Sequence, residues 1–337
     1  MIARYEDSDI ARIWADGNKL ELWQKTELAV VQARVNLSLL PEATGASIGT
    51  ALSGNAIDIG WWLARDREIN HDLNAFLDER LRFLRVELQP HLHYGLTSYD
   101  TEEPAFATML SQSLSVLEEQ TGPLADTLED MAKRYRYTIM NGRTHGQEAE
   151  LQSFGKRCLT WLVSLRESLK NLARAKESLQ HSKLSGAIGN YRGIDAGIEH
   201  EALCILGFKP FYGATQVMPR ELYAPLAEAL CQVVLTLDKI ANDIRLGARS
   251  GRPIYQEPFG RKQKGSSAMP HKKNTISLEQ IEGMARMAKG YLQMIMDNIR
   301  TWEERAIEQS SVERVAWPDL FHVTVHSVKT MLRVLKL

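Results

Sequence analysis

Hydrophobic residues recur at alternating steps of three and four residues along three long stretches of the chain. The three series are Leu151, Phe154, Cys158, Leu162, Leu165, Leu169, Leu172 and Leu179; Leu226, Leu230, Val233, Leu237, Ile240 and Ile244; and Ile281, Ala285, Ala288, Leu292, Ile295, Ile299 and Trp302. This spacing puts each series on one face of a helix, and its repeat of about 3.5 residues is typical of helices that pack nearly parallel. The sequence therefore predicts three long bundle helices.

The spacing of prolines leaves room for these helices. No proline lies between Pro123 and Pro210 or between Pro270 and Pro318, and proline disrupts helix interiors. A helix of about 30 residues is about 45 Å long and must be covered over its whole length. Because one chain has so few long helices, other subunits could supply part of that cover.

The first 100 residues follow a different pattern. Short helical segments at 10–13, 20–37 and 72–87 are separated by turn-rich stretches such as 40–47. Period-two alternation, which predicts strands, is scarce. We predict an all-α fold, in which a small helical N-terminal domain (1–100) is followed by a long-helix bundle domain (101–337).

Residues 249–274 have an unusual composition, with seven Lys or Arg against one Glu, together with Gly, Pro and Ser. The segment lies between two of the longest predicted helices. A basic, glycine-rich loop at this place is either an anion-binding lid or a solvated connector.

Composition and charge narrow the class of protein. The 337 residues are 44% hydrophobic and 25% charged, with a net charge of -1, which is typical of a globular protein and argues against a nucleic-acid partner. No apolar run approaches the roughly 18 residues of a membrane span, and the N-terminus lacks the apolar core of a secretory signal. We interpret Cys158, Cys204 and Cys231 as buried small hydrophobic residues in a reducing compartment, which predicts a cytoplasmic protein.

Two histidines have neighbours that are unusual for a core position. His71 lies in Ile-Asn-His-Asp, and His145 lies in Gly-Arg-Thr-His-Gly-Gln. Because imidazole titrates near neutral pH, each is a candidate for proton transfer, and the alternative for each is a surface or structural histidine. His322 and His326 lie four residues apart and could share a helix face, but we predict no metal site there.

The segment GSSAMPHKKN at 265–274 carries two hydroxyls, two ammonium groups and an amide within ten residues. This combination suits the binding of a dicarboxylate or a phosphate, and a serine in such a place could act as a base if nearby cations favour its alkoxide. All five fixed positions of the pattern Gly-Ser-x-x-Met-x-x-Lys-x-Asn are present. The segment therefore resembles the signature of the fumarase/aspartase superfamily.

Seven segments resemble one branch of that superfamily, the adenylosuccinate lyases, in the expected order and over essentially the whole chain. They are IARY at 2–5, HDLNAF at 71–76, HYGLTSYD at 93–100, GRTHGQ at 142–147, KLSGAIGNY at 183–191, EPFGRKQKGSS at 257–267 and WEERAIEQSSVERVAWPD at 302–319.

The resemblance implies an anti β-elimination that cleaves the C–N bond of a succinyl-substituted amine and releases fumarate. The usual substrates of the branch are adenylosuccinate, which gives AMP, and the succinyl-aminoimidazole carboxamide ribotide of purine biosynthesis. No metal or organic cofactor is expected, because positioned charges can stabilise the intermediate.

The resemblance also implies roles for residues that match the family's motifs. Ser266 would be the base, and Lys272 and Asn274 would hold the carboxylate that gains electrons. His145 would be the acid, oriented by Glu279, and His71 would act near the leaving group. Thr97 and Ser98 would bind a carboxylate, Gln216 would bind the succinyl part, and His93 would face the site.

A phosphate would be held by a last group of residues, namely Arg4, Tyr5, Arg305, Ser310 and Arg314. Arg305 and Arg314 are nine residues apart, so on one unbroken helix they would point to opposite faces. The resemblance therefore implies a break between them, which we place at 309–311.

Members of the branch assemble each active site from three subunits of a homotetramer, and the long apolar stripes fit such a bundle.

The resemblance also leads us to expect that a small helical C-terminal domain of the family lies outside this chain. Several residues depart from the family pattern, namely Ala306, Glu308, Gln309, Thr275 and the segment Thr-Glu-Glu-Pro at 101–104, where the family has Val-Val-Asp-Thr. An inward-facing Glu308 would weaken phosphate binding.

Two alternatives remain open on the sequence alone. One is another lyase, or a carboxymuconate-type cycloisomerase, of the same superfamily. The other is an inactive helical scaffold derived from it. The presence of Ser266, Lys272, Asn274, His145 and Glu279 argues against the scaffold, and phosphate-binding arginines would distinguish a nucleotide lyase from its relatives.

Overall fold

Eleven α-helices are found in the computed structural model, which describes residues 1–251, 253–260, 262–269 and 271–336. They are α1 (Ser8–Ile13), α2 (Asp16–Asn36), α3 (Glu42–Ser53), α4 (Ile59–Ile69), α5 (Asp72–Leu81), α6 (Ser98–Arg134), α7 (Phe154–Lys176), α8 (Ala196–Leu206), α9 (Ala224–Gly247), α10 (Ile276–Asp297) and α11 (Glu308–Lys336). Arg252, Arg261 and Pro270 of the predicted lid segment, and Leu337 of the predicted bundle domain, lie outside the described residues.

Two small sheets accompany the helices. Strands β1 (Ile139–Thr144) and β2 (Gln147–Ser153) form an antiparallel hairpin between α6 and α7, and β3 (His181–Ser182) pairs in parallel with β4 (Lys209–Pro210). The strands are short, so the predicted all-α fold is confirmed.

The main hydrophobic core lies among five long helices, α6, α7, α9, α10 and α11. All six residues of the second apolar series are buried on α9, as the spacing predicted. Because each long helix buries a stripe against two or more of the others, the bundle is held together mainly by apolar burial. Smaller cores lie where α2 packs on α5 and α6, on α8 and on α3. The division of the chain at residue 100 stays a prediction.

Helix α6 begins at a capping box. The Thr97 side chain accepts from the backbone of Asp100, whose carboxylate accepts from the Thr97 N–H. The helix then runs through Pro104 and Pro123, and α11 likewise contains Pro318. Packing along the rest of each helix outweighs the roughly 3 kcal/mol cost of an internal proline.

Several predictions of helix bounds and residue burial were wrong. Residues 40–47 are mostly helical in α3, and α7 starts at Phe154, so Leu151 of the first series lies in β2 with its side chain 72% exposed. The third series continues beyond the end of α10, which stops at Asp297 before Ile299 and Trp302. Cys204 is exposed, whereas Cys158 and Cys231 are buried as expected.

Within the described ranges, no helix combines the length and apolarity that a membrane crossing requires.

Candidate active site

One end of the bundle brings together predicted binding residues from three segments. Arg305, in the turn before α11, donates from Nη1 to Oε1 of Gln216 at 3.0 Å. Its guanidinium also stacks over the ring of Tyr99, at 4.4 Å from the centroid. Tyr99 is the second residue of α6 and directly follows Thr97 and Ser98. The start of α6 therefore lies beside Arg305 and Gln216.

Three further predicted residues lie at the same end. Arg314 donates to Oδ2 of Asp72 at 2.6 Å, and Asp72 directly follows His71. Ser310 and Arg314 line a cavity of about 240 Å³ together with Asp72 and Tyr99. We call this set the arginine cluster, and its members are His71, Thr97, Ser98, Gln216, Arg305, Ser310 and Arg314.

The predicted break in the helix between Arg305 and Arg314 is present, but it lies earlier in the sequence than predicted. Helix α11 starts at Glu308, so residues 309–311 belong to its first turn. Arg305 reaches the cluster from the preceding turn, and Arg314 reaches it from the helix. Glu308 is exposed, while Gln309 is buried and donates to the Tyr99 hydroxyl at 2.6 Å.

His71 caps α5, and this role fixes its tautomer. Its Nδ1 accepts from the Asn74 N–H at 3.3 Å, so Nδ1 is unprotonated while this bond is made. The proton of the neutral ring then lies on Nε2, and the side chain is exposed. His71 can therefore donate a hydrogen bond from Nε2 to a group bound next to the arginine cluster.

A buried ion pair holds the arginine cluster in place. The Lys183 ammonium lies 2.7 Å from Oδ1 of Asp100, and both side chains are fully buried. Lys183 also donates to the backbone carbonyl of Gln216 at 2.9 Å, and Asp100 accepts from the Thr97 N–H at 2.8 Å. The pair thus joins the start of α6 to the loop that carries Gln216.

Replacing Lys183 with Met is expected to lower the free energy of unfolding by about 3–5 kcal/mol, because it leaves a buried carboxylate without its cation. The matched control is Lys170→Met, which removes the exposed pair between Lys170 and Glu167 and should cost less than about 1 kcal/mol. Urea denaturation of the two variants measures the difference. Equal losses in both would contradict this account of the buried pair.

His93 does not contact the arginine cluster's arginines but binds a buried acid. Its Nδ1 lies 2.8 Å from Oε1 of Glu27, whose side chain is 1% exposed and also accepts from the Thr101 hydroxyl. Burial by itself lowers the pKa of His93, but the hydrogen bond and negative charge of Glu27 outweigh it, so the pKa is raised above 6.5. In this chain His93 supports the start of α6.

The raised pKa of His93 predicts a pH-dependent contribution to stability. The folded state binds the imidazole proton more tightly than the unfolded chain, so this contribution is complete below pH about 6.5 and is lost as the pH rises through the folded-state pKa. The difference in unfolding free energy between the parent and His93→Gln should therefore shrink as the pH rises from 6 through the folded-state pKa. A difference that stays constant over this range would rule out the contribution.

Arg4 and Tyr5 are not part of the arginine cluster within this chain. The ring of Tyr5 packs edge-on against His326 of α11 at 5.2 Å, and Arg4 is exposed. His326 lies 12 residues beyond Arg314 on the same helix, which corresponds to about 18 Å. These two residues therefore do not join Arg305, Ser310 and Arg314 within one chain, and their role in binding a phosphate stays a prediction.

His145 lies at the tip of the β1–β2 hairpin. The two residues between the strands, His145 and Gly146, have φ values of 53° and 78°. Two positive φ values define the turn that matches the twist of a hairpin, and glycine adopts this conformation without strain. The hairpin therefore holds the imidazole out in solvent, away from the rest of its own chain.

The signature segment forms a closed loop. The Asn274 side chain donates to the carbonyl of Gly265 at 2.8 Å and joins the two ends of the segment. Gly265 is required at this closure, because a Cβ there would lie 2.0 Å from the carbonyl oxygen of Lys272. The Ser266 hydroxyl accepts from the N–H groups of Ala268 and Met269 at 3.3 and 3.1 Å. These two donors favour the alkoxide form of Ser266.

Helix α10 starts directly after this loop and is anchored by two side chains that the sequence patterns did not reveal. The buried carboxylate of Glu257 accepts from the N–H groups of Ser277 and Leu278 and so caps the helix. Arg245 of α9 pairs with Glu279 at 3.2 Å. Glu279 contacts Arg245 rather than His145 in this chain, so the predicted contact between Glu279 and His145 is not formed within it.

The arginine cluster and the signature loop lie at opposite ends of the bundle. Glu279 is in the first turn of α10, and Arg305 follows its last turn, so most of this helix separates them, a length of about 27 Å. The 37 residues of α6 likewise place about 55 Å between Ser98 and the base of the His145 hairpin, which is only six residues, or about 20 Å, long. One small molecule therefore cannot contact both ends of the same chain.

Over the ranges that the structure covers, no three or more His, Cys, Asp or Glu side chains come together as potential metal ligands. His322 accepts from the Asp7 N–H at 3.0 Å, so one of its ring nitrogens is already used within the protein.

An all-helical bundle that carries this signature loop defines a class of lyases, and comparison with known proteins agrees. A family model described as "Lyase" matches residues 4–290. The chain belongs to this lyase family, of the fumarase/aspartase superfamily, and is an enzyme of the lyase class. The alternative of an inactive scaffold is therefore disfavoured.

Three curated relatives share one name. The chain is 36% identical to the adenylosuccinate lyase of Thermotoga maritima over 100% of its own length and 77% of the relative. It is 36% identical to that of Synechocystis over 98% and 75% of the two chains, and 33% identical to that of Bacillus subtilis over 95% and 73%.

Solved structures share the fold at lower sequence identity. A fumarate lyase from Mesorhizobium matches with a TM-score of 0.88 and 21% identity, over 99% of this chain and 76% of the other. A β-carboxy-cis,cis-muconate cycloisomerase from Acinetobacter calcoaceticus matches with a TM-score of 0.85 and 19% identity, over 98% and 75%.

Proposed function

We propose that this enzyme eliminates fumarate from a succinyl-substituted amine, and that adenylosuccinate is its substrate, with AMP as the second product. The succinyl-aminoimidazole carboxamide ribotide of purine biosynthesis is the second expected substrate. The proposal is supported by the near-full-length similarity to adenylosuccinate lyases and by the arginine cluster, which suits a phosphate. The cytoplasmic location of the enzyme stays a prediction.

The observation that carries the proposal is the geometry of the signature loop. Ser266 removes the proton beside a carboxylate of the succinyl group, since two backbone N–H groups favour its alkoxide. The electron pair of the broken C–H bond moves first toward that carboxylate, which Lys272 and Asn274 hold. It then forms the C=C bond of fumarate as the C–N bond breaks, and His145 protonates the departing nitrogen.

Each active site is proposed to form between subunits. The base and the phosphate-binding arginines of one chain are separated by about the length of α10, so a single substrate must take them from different chains. The His145 hairpin fits this arrangement, because Ile139 and Leu151 are 67% and 72% exposed and would be covered by a partner. A homotetramer with antiparallel neighbours would bring the two ends together.

The other solved-structure neighbours motivate a second candidate, a cycloisomerase or another lyase of the superfamily that acts on a small dicarboxylate. The two candidates differ at Arg314. We expect Arg314→Met to raise KM for adenylosuccinate by about tenfold or more through a lost charge-assisted contact. The exposed Arg300→Met serves as the control. Turnover of carboxymuconate with no dependence on Arg314 would favour the second candidate.

A further inference from the structure

Glu102 lies in the wall of the cavity beside the arginine cluster. It is on α6, one turn after Ser98, at a position where the resemblance leads us to expect valine. The cavity of about 240 Å³ is otherwise lined by aromatic rings and by charged groups of four other segments. The acid therefore faces the space next to Ser310 and Arg314, where a substrate phosphate is proposed to bind.

The cationic groups of the cavity wall are already committed to other acids. Lys19 pairs with Asp16 at 2.8 Å, and Arg314 pairs with Asp72 at 2.6 Å. The buried Arg220 pairs with both Glu103 and Glu313. Among the described residues, the Glu102 carboxyl has neither a hydrogen bond nor an ion pair of its own.

We propose that Glu102 is a specificity-determining residue that couples phosphate binding to a proton: as a neutral acid it admits a phosphate dianion beside Arg305 and Arg314, and as a carboxylate it excludes one. The inference rests on the proposed function, because it concerns the phosphate end of the same site.

The electrostatic environment of Glu102 explains why its protonation state controls phosphate binding. Burial and the nearby negative charge of Asp72 raise the pKa of Glu102 to about 8, against the opposing effect of Arg314 and Arg305. Near pH 7 the group is therefore mostly protonated, and its hydroxyl can donate to a phosphate oxygen. Above pH 8 it becomes a carboxylate, and placing it beside a phosphate dianion costs free energy in a partly desolvated cavity. The other charged or titratable groups that line this cavity are Asp16, Lys19, Asp72, Tyr99, Glu103, Arg220, Glu313 and Arg314. The charge of Arg305 also acts on Glu102, although Arg305 does not line the cavity.

The test is calorimetric titration of the full chain with inorganic phosphate at pH 7 and pH 9. If only the neutral form of Glu102 binds the phosphate dianion, a pKa of about 8 predicts that affinity falls about tenfold over this range. Affinity is expressed per dianion in every titration, because inorganic phosphate itself ionises near pH 7. Glu102→Gln keeps a neutral donor at every pH, so its affinity should change less than about twofold over the same range. Glu308→Gln, which alters an exposed acid in the first turn of α11, should behave like the parent.

Equal pH dependence in the parent and in Glu102→Gln would overturn the inference, as would the absence of phosphate binding in both at pH 7. Fumarate release from adenylosuccinate is measured separately. If phosphate affinity behaves as expected but no substrate releases fumarate, the proposed function fails while the role of Glu102 stands. If fumarate is released and the Gln variant titrates like the parent, the role of Glu102 fails alone.

Discussion

Replacing Ser266 with Ala is expected to lower kcat for fumarate release by about 10²–10⁴-fold, because the reaction loses its base. KM should change little, since Lys272, Asn274 and the arginine cluster still bind the substrate. Single-turnover kinetics, with the enzyme in saturating excess over the substrate, measure the chemical step directly. The substitution also removes the acceptor for two backbone N–H groups in the loop, so the folded state of the variant needs its own check.

The neighbouring serine provides the matched control. Ser267 is exposed and lies in the same loop, so Ser267→Ala also removes a serine hydroxyl, one residue away from Ser266. We expect its kcat to stay within about threefold of the parent. Similar losses in the two variants would mean that the loop is disturbed rather than that a base is missing, and unchanged kcat in Ser266→Ala would remove Ser266 from the mechanism.

The second large effect is recovery of activity on mixing two inactive variants. His71→Asn removes an imidazole at the arginine-cluster end while Asn keeps the helix cap, and Ser266→Ala removes the base at the other end. If each site takes these ends from different subunits, random reassembly of an equal mixture restores about a quarter of the sites. Activity should therefore rise from near zero to about a quarter of the parent value after subunit exchange.

Mixing two variants of the same loop is the control. Ser266 and Lys272 lie in one closed loop, so a site receives both from one chain. A mixture of Ser266→Ala with Lys272→Met should therefore stay inactive after the same exchange. Recovery in this control, or no recovery in the first mixture although hetero-oligomers form, would contradict sites shared between subunits.

The long bundle helices and the signature loop could be predicted because their signals are local in the sequence. The six apolar residues of the second series are buried on α9, where repeated steps of three and four fix one helix face. The fixed residues of the 265–274 segment likewise lie within one closed loop. Patterns of this kind need no knowledge of how distant segments meet.

Other features depend on interactions that periodicity does not record. The His145 hairpin is specified by a two-residue turn with positive φ, and its exposed strands lack a strong apolar alternation. Helix α3 is rich in Gly, Ser and Thr, a composition that predicts turns, although packing against α2 stabilises the helix. In α3, tertiary contacts therefore outweigh the local signal.

The sequence patterns also did not reveal the charged residues that organise the site. Lys183 and Asp100 are fully buried as a pair, and Arg245 reaches Glu279 from another helix. A buried charge is recognised only once its partner is known, because the same residue types are usually exposed. For Glu102, the one available signal was its departure from the expected valine.

We propose that a fumarate-releasing site forms only between subunits of this enzyme. The most direct measurement is fumarate and AMP release from adenylosuccinate by chromatographic fractions of known molecular mass. We expect equal amounts of both products, with activity confined to the oligomer and lost on dilution to monomers. A folded oligomer that releases no fumarate, or a monomer with full activity, would contradict it.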